Sequence, residues 1–196
     1  METLDRSKIG KMSHRKGNKF ERDVCKKLGT FFFNDPKSFG RYHSEGNTYF
    51  PGDLGPFIES NIIGTLDLIK SFPFCFETKN REEWEFYSLL SSPTNSALFK
   101  YWQQTLEEAE RFSKTPFLIF TKNYKPVYGM LDVTLCKETC VDMFAIPPTY
   151  LASIIRPTYK KTYTLTIFLL DDFITANKGM RSTKILKQQY EELVND

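Results

Sequence analysis

One segment constrains the fold of this chain more than any other: Phe74–Lys79, which reads FCFETK. It has the length and composition of a buried β-strand, yet it contains an acid and a base two residues apart. Because strand side chains alternate between faces, Cys75, Glu77 and Lys79 share one face and the other three side chains share the opposite face. Such a pair is either a solvated ion pair at a strand end or part of a functional site.

The size and charge of the chain narrow the class of protein. With 196 residues it is long enough for one domain with a substantial core, and we expect a single domain over residues 1–196. The net charge of +3 permits a polyanionic partner without requiring one. No apolar run is long enough to span a membrane, so we expect a cytoplasmic protein.

Four cysteines and two histidines are present, and their arrangement argues against a zinc centre. No two cysteines form a CxxC motif. A reducing, intracellular environment with free thiols is the simplest interpretation.

Periodicity and turn signals predict an order of helix, strand, strand, strand, helix and strand. The first helix is expected over Gly17–Leu28, with Gly29 as its terminating residue, because Phe20, Val24 and Leu28 form an apolar stripe. Asn61–Ile69 is interpreted as an irregular insertion or a short strand. The remaining predicted elements are a strand over Ser38–His43, a helix over Ser96–Ser113, strands over Phe117–Thr121, Val127–Val133 and Tyr163–Leu170, and a C-terminal helix over Ser182–Val194.

Three carboxylates fall on the early elements of this order. Glu21 lies on the first helix, Asp53 follows Pro51-Gly52 at the start of a strand, and Glu77 lies on the next strand. Carboxylates that converge bind a hard divalent cation through oxygen, and a neighbouring lysine can orient water or offset charge at a phosphate. Each of these carboxylates also has an ordinary explanation, such as an aspartate in a Pro/Gly turn.

The N-terminal segment is basic, with Arg15, Lys16 and Lys19 preceding the stripe of the first helix. It is either a solvated, frayed terminus or an arm that contacts phosphates.

The motifs in this order resemble the PD-(D/E)xK nuclease superfamily. Its motif residues are matched by Asp53 after Pro51-Gly52 and by Glu77-Thr78-Lys79. Within the superfamily the chain is most similar to the Holliday-junction-resolvase-like group, including phage-type relatives. Further matches are Lys16–Arg22 to the KGxxxER opening of that group, Arg41–Gly46, and Trp102-Gln103-Gln104 before the strand at Phe117. The resemblance covers residues 15–135 and, more weakly, residues 165–173.

The resemblance implies a fold. This is an α/β, restriction-endonuclease-like αβββαβ core over residues 15–135, with a mixed sheet flanked by helices, and a C-terminal extension over residues 136–196.

The resemblance also implies residue roles. Asp53, Glu77 and the Thr78 carbonyl would bind Mg²⁺ or Mn²⁺, and Glu21 would assist. Lys79 would position the attacking water, and Gln104 would hold Lys79 or a phosphate. Asp67 is an alternative metal ligand to Asp53. The residues implied to contact DNA are Arg15, Lys16, Lys19, Arg41 and Ser44.

The implied function is a metal-dependent DNA endonuclease of recombination or repair, selective for branched DNA and acting as a homodimer without an organic cofactor. A phage or viral origin is consistent with it. The alternatives are an exonuclease or a restriction-type endonuclease of the same fold, a non-catalytic DNA-binding module, and an interaction protein in which Glu77 and Lys79 form a structural ion pair.

Overall fold

A computed structural model describes residues 6–42, 51–134, 150–156, 161–179 and 181–195 of the chain. The helices are α1 (Arg6–Phe33), α2 (Ile62–Ser71), α3 (Phe86–Ser91), α4 (Ala97–Arg111), α5 (Leu170–Ala176) and α6 (Arg181–Asn195). The strands are β1 (Phe39–Arg41), β2 (Leu54–Pro56), β3 (Phe74–Asn80), β4 (Thr115–Thr121), β5 (Tyr128–Asp132), β6 (Tyr150–Arg156) and β7 (Lys161–Leu169).

The strands form one seven-stranded mixed sheet in the order β1-β2-β3-β4-β5-β7-β6. The segment FCFETK is the greater part of β3, which lies inside the sheet and pairs in parallel with β4 and antiparallel with β2. The other neighbouring strands in the sheet are antiparallel. This confirms the predicted α/β class and mixed sheet.

The alternation predicted for β3 is visible in how the two faces of the sheet pack. Phe74 and Phe76 belong to an apolar cluster with residues of α1, α2 and α6, such as Phe32. On β4, Leu118 and Phe120 pack into a second apolar cluster on the opposite face of the sheet. This cluster includes residues of α4 around Trp102. The sheet is therefore covered on both faces, and β3 lies in the middle layer.

Helix α1 is longer than the sequence predicts. It passes through Gly29 and ends at Asn34, whose φ of 60° is left-handed. The Asp35 N–H donates to the Gly29 carbonyl at 3.3 Å and closes the helix end. Gly29 has a packing role, because a Cβ there would lie 2.5 Å from the Asp35 carbonyl oxygen.

The prediction for Asn61–Ile69 was wrong, because this segment forms α2. Asn61 caps the helix by accepting a hydrogen bond from the Gly64 N–H at 2.8 Å. Leu68 is buried whereas Ile62 and Ile63 are 80% and 75% exposed. These exposed isoleucines obscured the helical period in the sequence.

The strands after Val133 extend the sheet formed by the earlier strands. Residues of β7 pair with β5, and β6 pairs with β7. The predicted strand over Tyr163–Leu170 corresponds to β7, and the predicted C-terminal helix corresponds to α6. Helices α3 and α5 and strand β6 were not predicted.

Two further expectations can be compared with the structure. Cys25 and Cys75 are free and buried, whereas Cys136 and Cys140 lie outside the described residues. No helix in the described ranges is long and apolar enough to cross a membrane.

Candidate active site

The site is built around Asp53, which a glycine places against β3. Gly52 has a φ of +75° and forms an isolated bridge with Phe76, and the Asp53 N–H donates to the Phe76 carbonyl at 2.7 Å. A Cβ on Gly52 would overlap the Phe76 carbonyl oxygen and lie 2.9 Å from its carbon. Only glycine combines this φ with so close an approach, so the Pro-Gly-Asp sequence fixes where the carboxylate lies.

The Asp53 carboxylate is held by Thr78. Its Oδ2 accepts the Thr78 N–H at 2.8 Å and the Thr78 hydroxyl at 2.9 Å. These two hydrogen bonds hold the residue that precedes β2 against β3 and keep its carboxylate next to the Glu77–Lys79 segment. The Thr78 side chain thus orients Asp53, a role that the sequence did not indicate.

Glu77 and Lys79 form an ion pair on their shared face of β3, as the alternation predicts. Lys79 donates from Nζ to Glu77 Oε1. Glu77 is 4% exposed, and the Lys79 side chain retains 17% exposure. The pair is therefore not a solvated strand end.

Burial and a like charge act together on Glu77. Desolvation and, after it, the negative charge of Asp53 raise the pKa of Glu77, whereas Lys79 lowers it; together these effects bring the pKa to about 7. A nearby carboxylate that perturbs a buried glutamate in this way is typical of functional sites.

The structure pairs Glu21 with Arg41. Arg41 Nε donates to Glu21 Oε2 at 2.5 Å, and Arg41 Nη2 donates to Asn18 Oδ1 at 2.8 Å. In the described residues, no group of three or more His, Cys, Asp or Glu side chains is placed to hold a metal ion. Asp53 and Glu77 lie near enough for the charge of one to raise the pKa of the other, whereas Glu21 is held in an ion pair with Arg41.

Helix α4 covers the Glu77 face of β3. The Tyr101 ring lies 5.9 Å from Lys79 Nζ, and Glu108 adds a further negative charge near Glu77. Gln104 is exposed and lies between these two residues along the helix. The sequence did not identify Tyr101 or Glu108, although a spacing of seven residues places them on one helix face.

The residues predicted to contact DNA have different surroundings. Arg15 and Lys19 are exposed, whereas Lys16 donates from Nζ to Glu82 Oε1 at 2.6 Å. Ser44 lies outside the described residues. Asp67, the alternative ligand, is on α2 and pairs with Lys70 at 3.4 Å.

The donor chemistry of Asp53 and Glu77 fits a divalent cation. Within the described residues, no hydrogen-bond donor contacts Asp53 Oδ1 or Glu77 Oε2. Two carboxylate oxygens, with the neighbouring Thr78 carbonyl, are the hard ligands that Mg²⁺ and Mn²⁺ prefer. A cation would also offset the repulsion that raises the pKa of Glu77.

The mixed sheet, the flanking helices and the Asp53–Glu77–Lys79 site define a restriction-endonuclease-like α/β protein. Residues 12–182 match the sequence model of the family described as "Phage putative PDDEXK endonuclease". The chain belongs to this phage-type family of the PD-(D/E)xK nuclease superfamily. No curated protein matches the chain, and no solved structure matches it.

Proposed function

We propose that this protein is a divalent-metal-dependent DNA endonuclease that hydrolyses phosphodiester bonds. The observation that carries the proposal is the buried Glu77, paired with Lys79 and perturbed by the Asp53 charge, at the end of β3. Membership of a nuclease family supports the reaction class.

The chain supplies the orientation and the charge balance of this reaction. Asp53, Glu77 and the Thr78 carbonyl would hold Mg²⁺ or Mn²⁺. The bound ion would stabilise the charge that develops on the attacking and leaving oxygens of the phosphodiester. Lys79 Nζ lies beside Glu77 and would position the attacking water and offset charge at the phosphate.

Supporting side chains keep these groups in place. Thr78 fixes one oxygen of Asp53, and the Glu21–Arg41 ion pair joins α1 to β1, the strand paired with β2. Gln104 is on the α4 face that covers β3, where it could contact Lys79 or a phosphate as the substrate enters.

The decisive experiment compares two isosteric variants, Asp53→Asn and Asp67→Asn. We expect Asp53→Asn to reduce Mg²⁺-dependent cleavage of DNA about a thousandfold, because metal coordination contributes several kcal/mol to the transition state. Asp67→Asn changes the same chemical group on an exposed helix and is expected to cleave like the parent. Equal activity of the parent and Asp53→Asn would show that the proposed metal site is wrong.

For the substrate we propose branched DNA, cut by a two-fold dimer. The similarity of the Lys16–Arg22 and Trp102–Gln104 segments to resolvase-like proteins supports this choice, and two symmetric cuts require two sites. Such a role would belong to recombination or repair.

The substrate is tested with the parent protein and Mg²⁺ on four-way junctions, flaps, linear duplex and single strands of matched sequence. Preferential, paired cutting of the junction is expected. Equal cutting of all substrates would contradict junction selectivity while leaving the nuclease assignment intact. Cutting only from DNA ends would instead identify an exonuclease.

A further inference from the structure

A basic cleft of about 660 Å³ lies between the C-terminal half of α1 and the helices α5 and α6. One carboxylate, Asp171, lines it and pairs with Lys27 at 2.5 Å. The lysines that line this cleft are Lys26, Lys27, Lys178, Lys184 and Lys187. The lining therefore carries a strong excess of positive charge, which selects an anionic occupant.

Most of this charge is available to a ligand. Lys26, Lys178 and Lys184 are exposed and form no ion pair within the described part of the chain. Lys187 has only a distant partner, Glu191, at 3.9 Å in the next turn of α6. Exposed ion pairs of this kind contribute little to stability. A polyanion can therefore take the place of Glu191 beside Lys187 at a small cost in free energy.

The inner wall of the cleft is apolar and includes an aromatic ring. Phe31 and Ile174 line it, and the Phe31 ring is only partly buried. The centroid of the Phe31 ring lies 4.6 Å from that of Phe32 and 5.7 Å from that of Phe173, which fixes the ring. A held aromatic ring beside several lysines is suited to an unpaired base whose phosphates contact the lysines.

A second depression shares Lys26 with the cleft and is lined by Arg41 of β1 at its other side. Its volume is about 250 Å³, and Arg22, Lys26 and Arg41 contribute to its lining. Lys26 also lines the cleft, and Arg41 lies opposite Leu54, the residue that follows Asp53. The path along α1 from Glu21 to Thr30 is about 14 Å long, at 1.5 Å per residue.

Exposed basic residues also follow this path on the solvent face of α1. Arg15, Lys19, Arg22 and Lys26 recur at intervals of four, three and four residues and are all exposed. Residues at these intervals share one face of a helix, so they form a basic stripe that reaches the cleft at Lys26.

We infer that the cleft binds a single strand of DNA that leaves the candidate active site along Arg22 and Lys26. The inference rests on the proposed function in identifying the polyanion as DNA. A single strand fits better than a duplex, because an aromatic wall can stack only on a base that is not already stacked within a helix. Lysines act as point charges on phosphates, so binding is expected to tolerate any sequence.

The test measures binding of a fluorescent oligothymidine to the Asp53→Asn protein, which prevents cleavage during titration. Adding Lys184→Gln and Lys187→Gln should weaken binding about tenfold and lower the slope of log K against log salt by about 1.4, or 0.7 per lost phosphate contact. Adding Phe31→Leu instead, which keeps an apolar side chain, should weaken binding about fivefold or more at unchanged salt slope.

Lys70→Gln and Lys100→Gln provide the matched control, because these lysines are exposed and line neither depression. The control pair should bind like Asp53→Asn alone, and thermal unfolding should show that all variants are folded. Parental affinity and salt slope in the Lys184/Lys187 variant would overturn the inference. A loss of duplex binding without loss of oligothymidine binding would also overturn it.

The outcome is separable from that of the proposed function. Binding of oligothymidine by the Asp53→Asn protein does not require cleavage. Failure of the parent to cleave any DNA would reject the nuclease, whereas cleft-dependent oligothymidine binding would still support the cleft.

Discussion

At the scale of single residues, the position of the site depends on Gly52. Its φ of +75° and its contact with the Phe76 carbonyl leave no space for a side chain. Asp53 follows directly, so strain at Gly52 would be transmitted to the carboxylate that Thr78 orients.

We therefore expect Gly52→Ala to lower the free energy of unfolding by about 2 kcal/mol or more and to abolish cleavage. Urea unfolding and a cleavage assay on the same preparation test this. Gly17→Ala is the control, since a Cβ there would meet nothing closer than Glu21 Oε1 at 3.9 Å. Gly17→Ala should stabilise α1 by about 0.5–1 kcal/mol. A Gly52→Ala protein as stable and active as the parent would contradict the positioning role.

Arg41 also has a structural role at this scale. Its guanidinium is shared between Glu21 and Asn18, and both members of the ion pair are less than a quarter exposed. Arg41→Gln should cost about 1–3 kcal/mol, because Glu21 would keep a partly buried, unpaired charge.

A double-mutant cycle with Glu21→Gln measures this coupling. The double variant should recover part of the loss in chemical denaturation, with a coupling energy of about 1 kcal/mol or more. Additive effects of the two substitutions would indicate that the pair does not stabilise the fold, and would favour the predicted contact of Arg41 with DNA.

At the scale of secondary-structure elements, close packing explains where glycine is required in the sheet. Gly129 on β5 faces the rings of Phe168 and Phe117, and a Cβ there would overlap Phe168 and lie 2.8 Å from Phe117 Cε2. Strand β5 pairs with β4 on one side and with β7 on the other. The contact at Gly129 therefore lies where β7 is added to the earlier strands of the sheet.

Gly129→Ala should destabilise the protein by about 2–3 kcal/mol through overpacking. The midpoint of urea denaturation measures the effect. An unchanged m-value would show that unfolding exposes the same amount of surface as in the parent. A Gly129→Ala protein with the parental midpoint would show that the two rings can move apart without cost.

At the scale of the whole molecule, the candidate metal site links binding to stability. A divalent cation that binds only the folded protein stabilises it by RT ln(1 + [L]/Kd), or about 2.7 kcal/mol at one hundred times Kd. Mg²⁺ or Mn²⁺ should therefore raise the unfolding temperature of the parent and of Asp67→Asn, and should have little effect on Asp53→Asn. Equal shifts in all three proteins would indicate that the ions bind elsewhere.

Several features could be predicted from the sequence because they depend on local order. The alternation of β3 separates Glu77 and Lys79 from Phe74 and Phe76, and Gly before Asp53 permits the required backbone bend. The apolar stripe of α4 likewise predicts its buried face, since Leu98, Trp102 and Thr105 are buried. The period of side-chain burial depends only on the local sequence, so these features can be predicted without knowing which distant residues they contact.

Other features were decided by contacts between residues that are far apart in the chain. Thr78 holds Asp53 across 25 residues, and Arg41 pairs with Glu21 across 20. The sequence thus determined which groups are candidates for the chemistry. Only the tertiary structure decided that Asp53 and Glu77 meet while Glu21 is neutralised, because those partners are chosen by packing and not by spacing.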